Sequence, residues 1–120
     1  RRAQNKETRD MAFLALASQK SLLTLQQNFL QLQLIRIQNN QLYYASEMDA
    51  RKEAIGTDSA IQYDEDPTYI YYEKLDEQAS SEKDAIESQI TAIQNEISSL
   101  KTLVNSNIKT SCTLNLASGS

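Results

Sequence analysis

Large apolar residues recur at helical spacing along two long stretches of this chain, with one short polar interval between them. In the first stretch Leu16, Leu23, Leu30, Ile37 and Tyr44 repeat every seven residues, and Leu34, Met48 and Ile55 fall on the same side. At about 100° per residue these positions form one seam along a helix. In the second stretch Tyr72, Leu75 and Ala79 lead into Ile86, Ile90, Ile93, Ile97, Leu100 and Val104. The last six alternate in steps of four and three, a heptad a/d register, and Ile108 continues near that face. Breakers are scarce: Gly56, Gly119 and Pro67 are the only glycines and proline. Few breakers mean few, long elements.

The pattern predicts an all-α fold, a helical hairpin of two long antiparallel helices in a single domain over 1–120. The first helix is expected over about 4–55, an acidic turn over 56–66, the second helix over about 67–109, and a short extended tail over 110–120. The tail expectation rests on the alternation of Cys112, Leu114 and Leu116. Gly56 suits a left-handed C-terminal cap after Ile55. Asp66-Pro67 reads as N-cap and first helical residue of the second helix, and Asp64, Glu65 and Asp66 favour its positive dipole end. Antiparallel packing would set Tyr44 and Met48 near Leu75 and Ala79, and Leu23 and Leu30 near Ile93 and Leu100.

The two helices differ in what they leave over. The second carries Glu73, Lys74, Glu77, Glu82, Lys83, Asp84 and Glu87 opposite its seam, so one partner helix satisfies it. The first has another apolar stripe, Leu14, Leu22, Leu25, Phe29, Leu32 and Tyr43, roughly 120° around from its seam. One hairpin partner covers one stripe, and something else must cover the other. From Met11 to Ser46 only Lys20 and Arg36 carry charge, while ten Gln and Asn fill polar positions. Neutral amides bury more cheaply than charges when they find hydrogen bonds. Helices exposed to water more often use Glu and Lys there.

Charge polarises the chain. Residues 1–46 hold six basic and two acidic groups, net +4; residues 47–87 hold four and thirteen, net −9; residues 88–120 hold two and one, net +1. The acidic total argues against nucleic acid as a partner, and the Arg1, Arg2, Lys6, Arg9 cluster reads as a solvated end. No apolar run approaches a membrane span. Met11–Ala17 loosely mimics a signal-peptide core, but the helical pattern runs straight through it. The chain starts at Arg1 rather than Met, as a processed or longer product would.

Candidate chemistry is sparse, and no catalytic, cofactor-binding or metal site is expected. There is no His, and the lone Cys112 forms neither an internal disulfide nor a zinc set. With no basic neighbour closer than Lys109, Cys112 reads as inert. The turn carboxylates Asp58, Asp64, Glu65 and Asp66 lack the order of a calcium loop and read as caps. Tyr63, Tyr69, Tyr71 and Tyr72 cluster at the turn with Ile61 and Ile70, as a contact patch or as packing that closes the turn.

The layout resembles small secreted helical hairpins that polymerise or pair, such as type III secretion needle and filament subunits and hairpin proteins of the ESX type. Only the layout is shared. The Trp-x-Gly turn of ESX proteins is absent, and a single Asp66-Pro67 is all the turn has of the needle pattern, so no residue roles carry over. The resemblance implies a secreted or cell-surface setting. The sequence thus predicts a structural subunit that packs side by side with its own copies into a homo-oligomer or filament. The alternative is a coiled-coil adaptor or secretion chaperone for a different helical protein.

Overall fold

A computed structural model describes residues 2–57 and 60–119, with the side chains of 107 and 110–119 outside the description. The chain is a helical hairpin: α1 (Arg2–Ile55), a single 3-10 turn over Tyr63–Glu65, and α2 (Pro67–Gly119). The two long helices pack against each other, and no strand occurs among the described residues.

The junction is built from local chemistry. Gly56 takes φ 70° and its N–H donates to the Lys52 carbonyl at 3.1 Å, closing α1 with a left-handed cap. Lys52 also places a positive charge in the last turn, where the helix dipole favours it. At the other side Asp66 is extended (φ −72°, ψ 127°), as a residue before proline prefers. Its Oδ2 accepts from the Tyr69 N–H at 3.0 Å, and the Asp66 carbonyl accepts from the Ile70 N–H at 3.0 Å. Asp66 is therefore the N-cap and Pro67 the first helical residue. A Cβ at Gly56 would meet nothing within 4 Å, so Gly56→Ala tests the backbone alone. The expected cost is about 1 kcal/mol, read from urea unfolding at fixed protein concentration.

Residues 30–89 form one compact unit, and 1–29 with 90–120 form the other. In the turn-bearing unit, Ile37 and Ala79 are the buried apolar residues, with Leu30, Leu34, Tyr44, Met48 and Ile86 half-buried. Register there is fixed by Gln41 Nε2 donating to Ser80 Oγ at 2.9 Å and by the Tyr44 and Tyr72 rings at 6.2 Å. In the other unit Ile90 is buried, and Leu16, Leu23, Ile93, Ile97, Leu100 and Val104 are half-buried. Leu23 and Leu100 line the same interhelical groove there, as the expected antiparallel register requires.

The second helix does not stop at Lys109. Helix α2 continues to Gly119, so residues 110–119 are helical and no extended tail forms. The physical reason is propagation: once nucleated, a helix adds one hydrogen bond per residue, and no Gly or Pro interrupts α2 before Gly119. Three alternating apolar residues are too short a strand signal to compete. The side chains of Cys112, Leu114 and Leu116 lie outside the described residues, as do Arg1 and Asp58.

The seam also holds polar residues that apolar spacing alone does not reveal. Half-buried positions in α1 step by three and four through Phe13, Leu16, Lys20, Leu23, Gln27 and Leu30, then on through Gln41 and Arg51. In α2 the same steps run through Tyr72, Asp76, Ala79, Lys83 and Ile86. Lys83, expected on the outer face, is half-buried in step with the seam. A lysine stem can cover apolar surface while its ammonium reaches water, so a seam position tolerates it. Continuing the heptad through polar letters would have found all of these.

Candidate interaction surface

The α1 stripe expected to need a partner is open. Leu14, Leu22, Leu25, Phe29 and Leu32 are between 57% and 66% exposed, and Tyr43 is 54% exposed. Met11, Ile35 and Leu42 of the same helix are also exposed. In the unit formed by 1–29 and 90–120, Leu22 borders an open groove of about 480 Å³ shared with Leu23, Gln26, Ser99 and Leu100. The outer row and the seam therefore meet at an unfilled edge. The exposed hydroxyls of Thr8 and Thr24 bond back to carbonyls four residues earlier, at 2.9 Å each. That back-bonding leaves the helix surface less polar than its Thr content implies.

Few apolar side chains are enclosed. Ile37, Ala79 and Ile90 are the buried apolar residues among those described. Two helices alone have no third layer to enclose their flanks.

The turn tyrosines divide into two groups. Tyr63 and Tyr69 meet edge to face at 5.0 Å, with Lys52 Nζ 4.4 Å from the Tyr63 ring centre. This pair closes the turn. Tyr71 and Tyr72 meet at 5.2 Å, and Tyr72 meets Tyr43 at 6.1 Å. Tyr72 belongs to the seam, and its hydroxyl pKa is raised by a hydrogen bond with Tyr43, by burial and by nearby Glu47. Tyr71 is exposed. The four tyrosines thus form no single patch, and Tyr43 ties the outer row of α1 to α2.

Asp66 is the buried polar residue of the turn, 6% exposed. Arg51 grips it with both arms of its guanidinium, Nε to Oδ2 and Nη2 to Oδ1, each 2.8 Å. Such bidentate pairs are the strong form of the interaction. The Arg51 hydrogen bonds lower the Asp66 pKa from 3.8 to about 2, against burial, with help from the Tyr69 N–H and the Arg51 charge. Asp66 is thus a cap and a latch. Among the described residues, no three acidic or thiol side chains are grouped to hold a metal ion.

A pH prediction follows from this lowered pKa. A folded-state pKa below the unfolded value gives stability that is present above about pH 4 and lost as pH falls toward about 2. The wild type should out-stabilise Asp66→Asn near neutrality, and the two midpoints should converge as pH approaches about 2. Thermal unfolding of both proteins across that range checks it; a gap unchanged in acid would contradict the latch.

Comparison with protein-family models, curated proteins and solved structures gives no match. Among the described residues, no helix is long and apolar enough to cross a membrane.

Proposed function

We propose that this protein is a non-catalytic structural subunit that assembles with copies of itself through the outer face of α1. The observation that carries this reading is the row Leu14, Leu22, Leu25, Phe29, Leu32, all more than half exposed on one helix. Monomeric soluble proteins seldom leave a contiguous apolar row of this size in water. Two further features support it. The polar positions around the row are Gln and Asn rather than Glu and Lys, and neutral amides tolerate burial where charges do not. The outer face of α2, by contrast, is charged and suits water.

Negative-stain microscopy of the purified protein tests the proposal. Oligomers or filaments of regular width are expected. Dispersed single hairpins would contradict it, and a stoichiometric foreign helical protein bound without self-association would favour the adaptor reading.

A further inference from the structure

Resting on that reading, we infer that the outer face of α1 meets the outer face of α1 in a second copy, and that α2 stays out of the contact. The half-buried and buried positions of α1 set a heptad within each unit: a at Lys20, Gln27 and Leu34, d at Leu23, Leu30 and Ile37. In that register the large apolar residues of α1 that are more than half exposed all stand at b, c or f. Leu14 and Ile35 are at b, Leu22 and Phe29 at c, Leu25 and Leu32 at f. At about 100° per residue, f lies about 180° from the midline of the seam, and b and c lie about 130° from it on either side. The polar members of the seam shift its midline, so in each unit the exposed face points away from α2 rather than to one side of it.

The flanks between the seam and this face are polar. No large apolar residue stands at e or g: Gln31 and Gln38 occupy e, and Gln19, Gln26, Gln33 and Asn40 occupy g. In the unit 1–29/90–120 the groove along the flank is bordered by Gln19, Gln26, Asn95, Glu96 and Ser99. In the unit 30–89 a second groove is bordered by Arg36 and Glu82. A partner helix seated in either groove would touch α1 and α2 together and would take these polar groups out of water, which costs free energy unless each is paired. A partner on the b, c and f face touches α1 alone and covers apolar surface, which is favourable.

Helix α2 offers no matching face. Its exposed large apolar side chains among the described residues are Tyr71, Leu103 and Ile108, and Tyr71 is remote in sequence from the other two. Its seam-opposed face is charged through Glu73, Glu77 and Glu87. Within a second copy, the apolar counterpart of the outer face of α1 is therefore the same face of that copy's α1. A cross-section through either unit then runs α2, α1, and α1 and α2 of the second copy. Packed helix axes lie about 8 to 10 Å apart, so α2 stands about 18 Å from the second copy's α1, beyond side-chain contact. Both orientations of the second α1 satisfy this order.

Thiol protection tests it, with one pair of reporters in each unit. In a Cys112→Ser background, Leu25→Cys and Ser99→Cys report on the unit 1–29/90–120, and Leu32→Cys and Glu82→Cys on the unit 30–89. Each variant is reacted with iodoacetamide above and below the concentration at which sedimentation shows association. A covered thiol reacts only through the dissociated fraction, so association should slow Leu25→Cys and Leu32→Cys about tenfold or more and change Ser99→Cys and Glu82→Cys less than about twofold. The two α1 reporters are separate variants, so one serves where the other weakens association. Protection at Ser99→Cys or Glu82→Cys equal to that on α1 would put the partner in the grooves and overturn the inference, while leaving self-assembly standing. Oligomers that protect none of the four, or monomers throughout, would overturn both.

Discussion

Replacing Leu25 and Leu32 together with Glu is expected to hold the protein as a helical monomer at concentrations where the wild type associates. Both side chains are more than 60% exposed in the hairpin, so their loss removes no internal packing. Glu is as good a helix former as Leu, and helicity by circular dichroism should stay largely unchanged. At a contact between copies, each Leu forfeits about 2 kcal/mol of burial, and each new carboxylate adds a desolvation cost. The combined loss exceeds about 4 kcal/mol, on the order of 1,000-fold in dissociation constant. Sedimentation of the variant beside the wild type reads it directly. An unchanged oligomer would remove the outer row of α1 from the assembly surface.

The second large effect lies inside the hairpin. Ile37 and Ile90, one in each unit, are at most 9% exposed and are two of the three buried apolar residues described. Truncating a buried Ile to Ala costs about 2 to 5 kcal/mol, through lost transfer energy and the cavity left behind. Against a typical total of roughly 5 to 15 kcal/mol, Ile37→Ala should unfold much of the protein's margin. Leu22→Ala, which removes an exposed side chain, should shift the hairpin's own stability by less than about 0.5 kcal/mol. Chemical denaturation in the Leu25→Glu/Leu32→Glu background separates hairpin stability from association. Equal losses at Ile37 and Leu22 would mean that the seam and the outer row are wrongly assigned.

Much of this architecture was legible in the residues because its signals are local and redundant. The heptad repeat of Leu16, Leu23, Leu30 and Ile37 sets one helix, and the Ile86-to-Val104 run sets the other. Gly56 and Asp66-Pro67 mark the two caps with residues that serve few other purposes. The exposure of Leu14 to Leu32 was legible too, since two stripes far apart on one helix cannot both meet a single partner. Less legible were the seam's polar members. Lys20, Gln27 and Lys83 occupy heptad positions by arithmetic, yet their polarity argues for water, and in a two-helix hairpin the seam is shallow enough to admit both. The helical 110–119 segment is less legible, because the alternation of Cys112, Leu114 and Leu116 suggests extension while the lack of a breaker before Gly119 favours helix. Arg51 reaching Asp66, fifteen residues on, depends on how the turn closes, which no periodicity encodes. The tyrosines divided between the turn and the seam for the same reason.

Sedimentation velocity of the unaltered protein across a wide dilution series tests self-assembly through the outer face of α1 most directly. The predicted result is a species larger than 13.6 kDa at high concentration that dissociates on dilution, with helicity retained until the subunits separate. A single folded species of monomer mass, unchanged up to high micromolar concentration, would contradict it.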